Sequence, residues 1–105
     1  MNLRTVSETA LFQKWVKDVW TEDELDTFKV WIAHNPQAGD VVPNGGGVRK
    51  VRWSASGRGK RGGARVIYFN QEQERIWLLL AYTKAKFDNL PSSFLEQLRK
   101  EIEND

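Results

Sequence analysis

Apolar residues recur every three or four positions in two stretches of the first third of the chain. The first stretch follows Ser7, which can cap a helix, and carries Leu11, Phe12, Trp15, Val16, Val19 and Trp20. The second follows Thr21–Glu24, where a hydroxyl and a carboxylate three residues later fit a capping box, and carries Leu25, Phe28, Trp31 and Ile32. This periodicity predicts two amphipathic helices, and Pro36 ends the second one.

The rest of the chain carries strand patterns and one further helix pattern. A brief opening strand is predicted over Asn2–Val6, and Val48–Trp53 alternates, so that Lys50 and Arg52 face outward while Arg49 shares the side of the apolar residues. Two strands, Ala64–Asn70 and Ile76–Tyr82, flank a polar turn, and the second is apolar enough for a central strand. A helix is predicted after Asn89, with one apolar face formed by Phe94, Leu95, Leu98 and Ile102.

The order β-α-α-β-β-β-α predicts an α+β fold. We expect a small, mainly antiparallel sheet with two N-terminal helices packed on one face and a C-terminal helix. The length of 105 residues predicts a single domain over residues 1–105. The longest apolar run, Ile76–Tyr82, is too short to span a bilayer, and the first ten residues lack the pattern of a signal peptide. A cytoplasmic location without membrane attachment is therefore expected.

Charge is unevenly distributed along the chain. The net charge is only +2, yet the segment from Val41 to Gln71 contains no Asp or Glu and holds seven of the sixteen basic residues. The remainder carries nine basic and fourteen acidic residues, a net charge of −5. A basic segment in an otherwise acidic chain predicts that a polyanionic partner binds at one place on the surface. The alternative is a solvated basic loop without a ligand.

Several familiar site chemistries are disfavoured by the sequence. The chain has no cysteine and one histidine, His34, so neither a thiolate site nor a metal site is expected. The segment Gly57–Gly62 matches G-x-G-x-x-G, but a strand is predicted after it where dinucleotide binding needs a helix, so no cofactor is expected. All five tryptophans fall on predicted core positions, which favours packing over base stacking.

The remaining chemistry rests on cations and one phenol. Basic side chains from two strands and a loop, followed by Tyr82 and two lysines, could converge at one end of an antiparallel sheet. Such a set can in principle cleave RNA, because a lysine among arginines can approach a neutral pKa and act as a base. Arginine stays charged and can stabilise the pentavalent phosphate.

The basic segment and the strand after it resemble the RelE/HigB toxins of bacterial type II toxin–antitoxin systems, in the RelE/ParE superfamily. The resemblance is carried by GGVRKVRWSASGRGKRGGARVIYF and IWLLLAYTKAKFDNL. It implies a RelE-like fold and a ribosome-dependent, metal-independent endoribonuclease, an mRNA interferase that cuts mRNA in the A site and inhibits translation. It also implies a cognate antitoxin, a helix-turn-helix protein of the HigA type, and the ribosome with its mRNA as partners.

The resemblance also implies roles for individual residues. Arg65 corresponds to the sheet arginine that stabilises the scissile phosphate, Lys84 to the basic position after the last strand, and Tyr82 to an aromatic that stacks on or orients a base. The implied catalytic set is Arg65, Lys84, Tyr82, Lys60 and Arg61. The implied RNA-binding set is Arg49, Lys50, Arg52, Arg58 and Lys86.

Two other functions remain compatible with the sequence. One is the ParE branch of the same superfamily, which inhibits DNA gyrase and needs no nuclease centre. The other is a non-catalytic nucleic-acid-binding module, which predicts salt-sensitive binding without cleavage. The basic block by itself does not separate a protein that binds RNA from one that cuts it.

Overall fold

Helices and strands follow one another as the sequence predicts, with one short strand added. The computed structural model describes residues 4–53, 63–72, 74–83 and 90–103. In chain order the elements are β1 (Thr5–Glu8), α1 (Ala10–Val16), α2 (Glu22–His34), β2 (Asp40–Val41), β3 (Arg49–Trp53), β4 (Ala64–Gln71), β5 (Arg75–Thr83) and α3 (Ser92–Glu103). The predicted α+β class is confirmed. The sequence did not predict β2, which lies within a stretch expected to be loop.

The described strands form one sheet in the order β1-β5-β4-β3-β2. Strand β1 runs parallel to β5, and the other neighbouring pairs are antiparallel. Strand β5 therefore lies between two neighbours, as its apolar sequence predicted. The register between β4 and β5 shifts after Ile67, which pairs with Leu80, because Tyr68 then pairs with Leu78. The bulge leaves Leu79 and Leu80 in the same apolar cluster.

Apolar side chains form two clusters, one on each face of the sheet. On the first face, the α1/α2 cluster packs helix residues against alternate strand residues; its buried members include Phe12, Val16, Phe28, Ile32, Val51, Val66, Ile76 and Ala81. On the second face, the α3 cluster includes Val48, Ile67, Leu79, Leu80, Tyr82, Leu95, Leu98 and Ile102. Helix α1 contributes to both, because Leu11 and Trp15 pack against the α3 cluster.

The tryptophans pack against these clusters, and each keeps part of its surface exposed. Three of them surround the buried ring of Phe28, with centroid distances of 5.1 Å to Trp20, 6.1 Å to Trp31 and 5.8 Å to Trp53. The rings of Trp31 and Trp53 stack on each other with centroids 4.4 Å apart. The aromatic group joins α2 to the end of β3.

The helix starts show one correct and one wrong prediction. Thr9, and not Ser7, caps α1: its hydroxyl accepts from the Phe12 amide at 3.0 Å, while Ser7 lies within β1. The predicted capping box of α2 is confirmed, since the Thr21 hydroxyl accepts from the Glu24 amide at 3.2 Å and the Glu24 carboxylate accepts from the Thr21 amide at 2.9 Å.

The Thr21→Ala variant is expected to lower the free energy of unfolding by about 1 kcal/mol, because the first turn of α2 loses its capping acceptor. Urea denaturation followed by circular dichroism measures this. Thr27→Ala is the matched control, since the Thr27 hydroxyl is exposed and donates to the Asp23 carbonyl within the same helix, and it should leave stability unchanged. Equal losses in both variants would contradict the capping argument.

Candidate nucleic-acid interface

Three of the predicted site residues lie side by side across the middle of the sheet. Arg52 on β3 pairs with Arg65 on β4, and Arg65 pairs with Tyr82 on β5. Directly opposed residues on neighbouring strands have Cβ atoms about 4.5–5.5 Å apart on the same face. We call Arg52, Arg65 and Tyr82 the arginine row.

Strand alternation places the row on the face that carries α3. The residues next to the row along each strand, Val51, Val66 and Ala81, belong to the α1/α2 cluster on the opposite face. Lys50 lies two residues before Arg52 and pairs with Ile67, a member of the α3 cluster. Lys50 therefore extends the row on the same face, and both Lys50 and Arg52 are exposed.

Arg65 is half-buried as a residue, and one of its guanidinium nitrogens is completely buried. Its Nη1 atom has no hydrogen-bond partner among the described residues, and neither Arg65 nor Arg52 forms an ion pair with a described carboxylate. Opposed like charges on neighbouring strands destabilise a sheet. A buried guanidinium nitrogen without a hydrogen-bond partner also costs free energy. An anion bound at the row would remove both costs.

Tyr82 is buried in the α3 cluster, with 2% of its surface exposed. Burial raises the pKa of the Tyr82 phenol, and the positive charge of Arg65 acts in the opposite direction with a smaller effect. The phenol therefore stays protonated near neutral pH, and its ring packs among apolar side chains.

Arg49 lies apart from the row, on the side of Val51 as the alternation predicted. Its guanidinium donates to the Gly39 carbonyl at 2.7 Å and the Gln37 carbonyl at 3.4 Å. Tyr68, opposite Arg49 on β4, accepts from the Gly39 amide and donates to the Pro36 carbonyl, each at 2.9 Å. These contacts fix the turn after α2, and they were not predicted because the partners are far apart in sequence.

Five predicted site residues, Arg58, Lys60, Arg61, Lys84 and Lys86, lie outside the described residues. Over the ranges that are described, no three His, Cys, Asp or Glu side chains cluster as metal ligands would. No helix within those ranges has the length and apolar character that a membrane crossing requires.

The fold and the row together define a small α+β protein with two opposed arginines on one face of its sheet. The family model described as RelE toxin of the RelE / RelB toxin-antitoxin system matches residues 4–103. The chain belongs to this family of toxins, which pair with antitoxins.

A solved structure of E. coli toxin RelE, a variant with two arginines replaced by alanine in the free state, is similar to this chain. The TM-score is 0.63, the match covers 93% of this chain and 98% of that chain, and 10% of the residues are identical. At this level of identity the likeness shows a shared fold.

Proposed function

We propose that this toxin is a ribosome-dependent, metal-independent endoribonuclease that cleaves mRNA in the A site. The observation that carries the proposal is the arginine row, in which Arg65 has a buried guanidinium nitrogen without a described hydrogen-bond partner and lies beside a second arginine. Paired cations without a described carboxylate partner suit a phosphate diester, since guanidinium groups bind phosphate oxygens through two parallel hydrogen bonds.

Cleavage would proceed by attack of the ribose 2′-oxygen on the adjacent phosphorus. A base removes the 2′-hydroxyl proton, the pentavalent phosphate gains negative charge, and an acid protonates the departing 5′-oxygen. Arg65 would donate to the phosphate oxygens as that charge develops, where a preorganised cation has its greatest effect on rate. Arg65 would thus stabilise the charge of the pentavalent phosphate from a fixed position on β4.

The catalytic roles of the other residues are assigned by side-chain chemistry and by position in the sequence. Lys84 or Lys60 would act as base or acid, with Arg61 as a further cation at the scissile phosphate. Tyr82 would act as a protonated phenol that positions Arg65, because its raised pKa opposes a role as base and its burial opposes stacking on a nucleobase.

Substrate binding would involve the exposed cations of the same face. Lys50 and Arg52 would hold phosphates that flank the cut, with Arg58 and Lys86 extending the contact. Arg49 donates to two backbone carbonyls on the other face of the sheet. We therefore propose that it stabilises the fold and does not bind RNA. The proposed setting is the cytoplasm, with a HigA-type helix-turn-helix antitoxin as partner.

The purified toxin is expected to cut mRNA on ribosomes and to leave the same RNA intact without ribosomes. Primer extension on ribosomes programmed with a defined message would locate the cuts in the A-site codon. Gyrase-dependent DNA breaks with intact mRNA would instead identify a ParE-type toxin. Salt-sensitive RNA binding without cuts would identify a non-catalytic module, and either result would refute the proposal.

A further inference from the structure

An apolar groove lies along the outer side of α2, away from the arginine row. It is lined by Thr27, Val30, Trp31, His34, Asn35 and Trp53, and we call it the α2 groove. Val30 is 62% exposed, the highest fraction among the large apolar side chains of the described residues. The stacked rings of Trp31 and Trp53 form the adjoining apolar wall. Contiguous exposed apolar surface of this kind marks sites of protein association.

The α2 groove is flanked by negative charge. Asp26 and Asp23 precede Val30 by four and seven residues, so helical periodicity places all three on one side of α2. Both carboxylates are exposed. The one lysine of α2, Lys29, is paired with Glu8 on β1. Carboxylates next to the groove repel RNA phosphates and attract a protein segment that carries lysine or arginine beside apolar side chains.

The groove and the arginine row lie on opposite faces of the sheet. Trp31 and Trp53 pack against the α1/α2 cluster, whereas Tyr82 belongs to the α3 cluster. A protein bound in the groove would therefore leave the row uncovered. Because RelE toxins pair with antitoxins, an antitoxin is the protein partner that we assign to the groove.

We propose that the α2 groove is a docking surface for the antitoxin, which would contribute an amphipathic segment with apolar side chains over Val30 and basic side chains near Asp23 and Asp26. The inference rests on the pairing of toxin and antitoxin and does not depend on the cleavage reaction. Its test is therefore a binding measurement that stays informative if the toxin proves to have another activity.

The test uses the purified antitoxin encoded beside the gene of this toxin, titrated against the full-length chain by isothermal calorimetry at two salt concentrations. Val30→Glu is expected to weaken binding at least about tenfold, as loss of a central apolar contact does. Asp26→Lys should weaken binding and reduce its salt dependence, because an attractive charge pair becomes repulsive.

Glu101→Lys is the matched control for Asp26→Lys. It makes the same change in net charge on α3, across the sheet, and its affinity for the antitoxin should stay within about twofold of the original. Circular dichroism of each variant checks that the fold is retained. Unchanged antitoxin affinity in Val30→Glu and Asp26→Lys would overturn the proposal, as would an equal loss in Glu101→Lys. Loss of ribosome binding with unchanged antitoxin affinity would also overturn the proposal and would assign the groove to the ribosome.

Discussion

The Arg65→Ala variant is expected to cut ribosome-bound mRNA about 10²–10³-fold more slowly than the original chain, while remaining as stable. The loss follows from removing the cation that faces the developing phosphate charge. Stability should stay within about 1 kcal/mol, because the variant also removes the repulsion between Arg65 and Arg52 and the unbonded buried Nη1 atom. Single-turnover cleavage on programmed ribosomes and urea denaturation measure the two quantities.

Three further variants complete the test: one separates geometry from charge at position 65, one is a control, and one tests the proposed base or acid. Arg65→Lys keeps the positive charge but loses the planar fork of donors, so it should restore only part of the rate. Lys100→Ala removes an exposed cation on α3 and should cleave at the original rate. Lys84→Ala tests the proposed base or acid. If Arg65→Ala and Lys84→Ala both cleave mRNA and arrest growth like the original chain, the site assignment is wrong.

The Phe28→Ala variant is expected to lower the free energy of unfolding by about 3–5 kcal/mol. Phe28 is completely buried and contacts three tryptophan rings, so truncation leaves a cavity that these large side chains cannot easily fill. A loss of this size is a large fraction of the roughly 5–15 kcal/mol that stabilises an ordinary domain. Urea denaturation followed by tryptophan fluorescence and circular dichroism measures the change.

Phe94→Ala is the matched control, because it makes the same chemical change at a side chain that is 37% exposed on α3. It should alter the free energy of unfolding by less than about 0.5 kcal/mol. Equal losses in the two variants would show that the aromatic group around Phe28 is not the centre of the α1/α2 cluster.

Local signals predicted α2, α3 and the longer strands well. The predictions for the start of the chain were less accurate: α1 ends at Val16, before Val19 and Trp20 of the predicted stripe, and the strand predicted over Asn2–Val6 lies at Thr5–Glu8. The capping box at Thr21 needs only contacts within four residues, and the alternation of β3 depends only on the geometry of an extended chain. The same alternation correctly separated Lys50 and Arg52 from Arg49. The capping residue of α1 was missed, because Thr9 is held by a hydrogen bond to the Leu79 carbonyl across 70 residues, which no local pattern reveals.

The charge pattern predicted a basic surface, but it did not determine how the basic side chains are arranged on that surface. Register alone brings Arg52 and Arg65 to opposed positions, since a shift by one residue would send one of them to the other face. Burial of Tyr82 depends on α3, which packs on that face from the far end of the chain. The α2 groove likewise depends on tertiary contacts, because Trp53 of β3 and Trp31 of α2 stack to form its apolar wall.

The sequence by itself determined the order of the predicted elements, most of their core-facing residues and the separation of charge into a basic block and an acidic remainder. Phe94 is an exception, because it was predicted on the apolar face of α3 and is 37% exposed. These properties depend on neighbours along the chain, where periodicity and composition are visible. Only the tertiary structure decided that β1 pairs in parallel with β5, that Arg49 donates to the backbone of the turn after α2, and that Arg65 lies between Arg52 and Tyr82 with a buried Nη1 atom that has no hydrogen-bond partner among the described residues. The physical reason is that strand pairing and burial depend on packing between segments that are distant in the sequence, so the pattern within one segment does not reveal them.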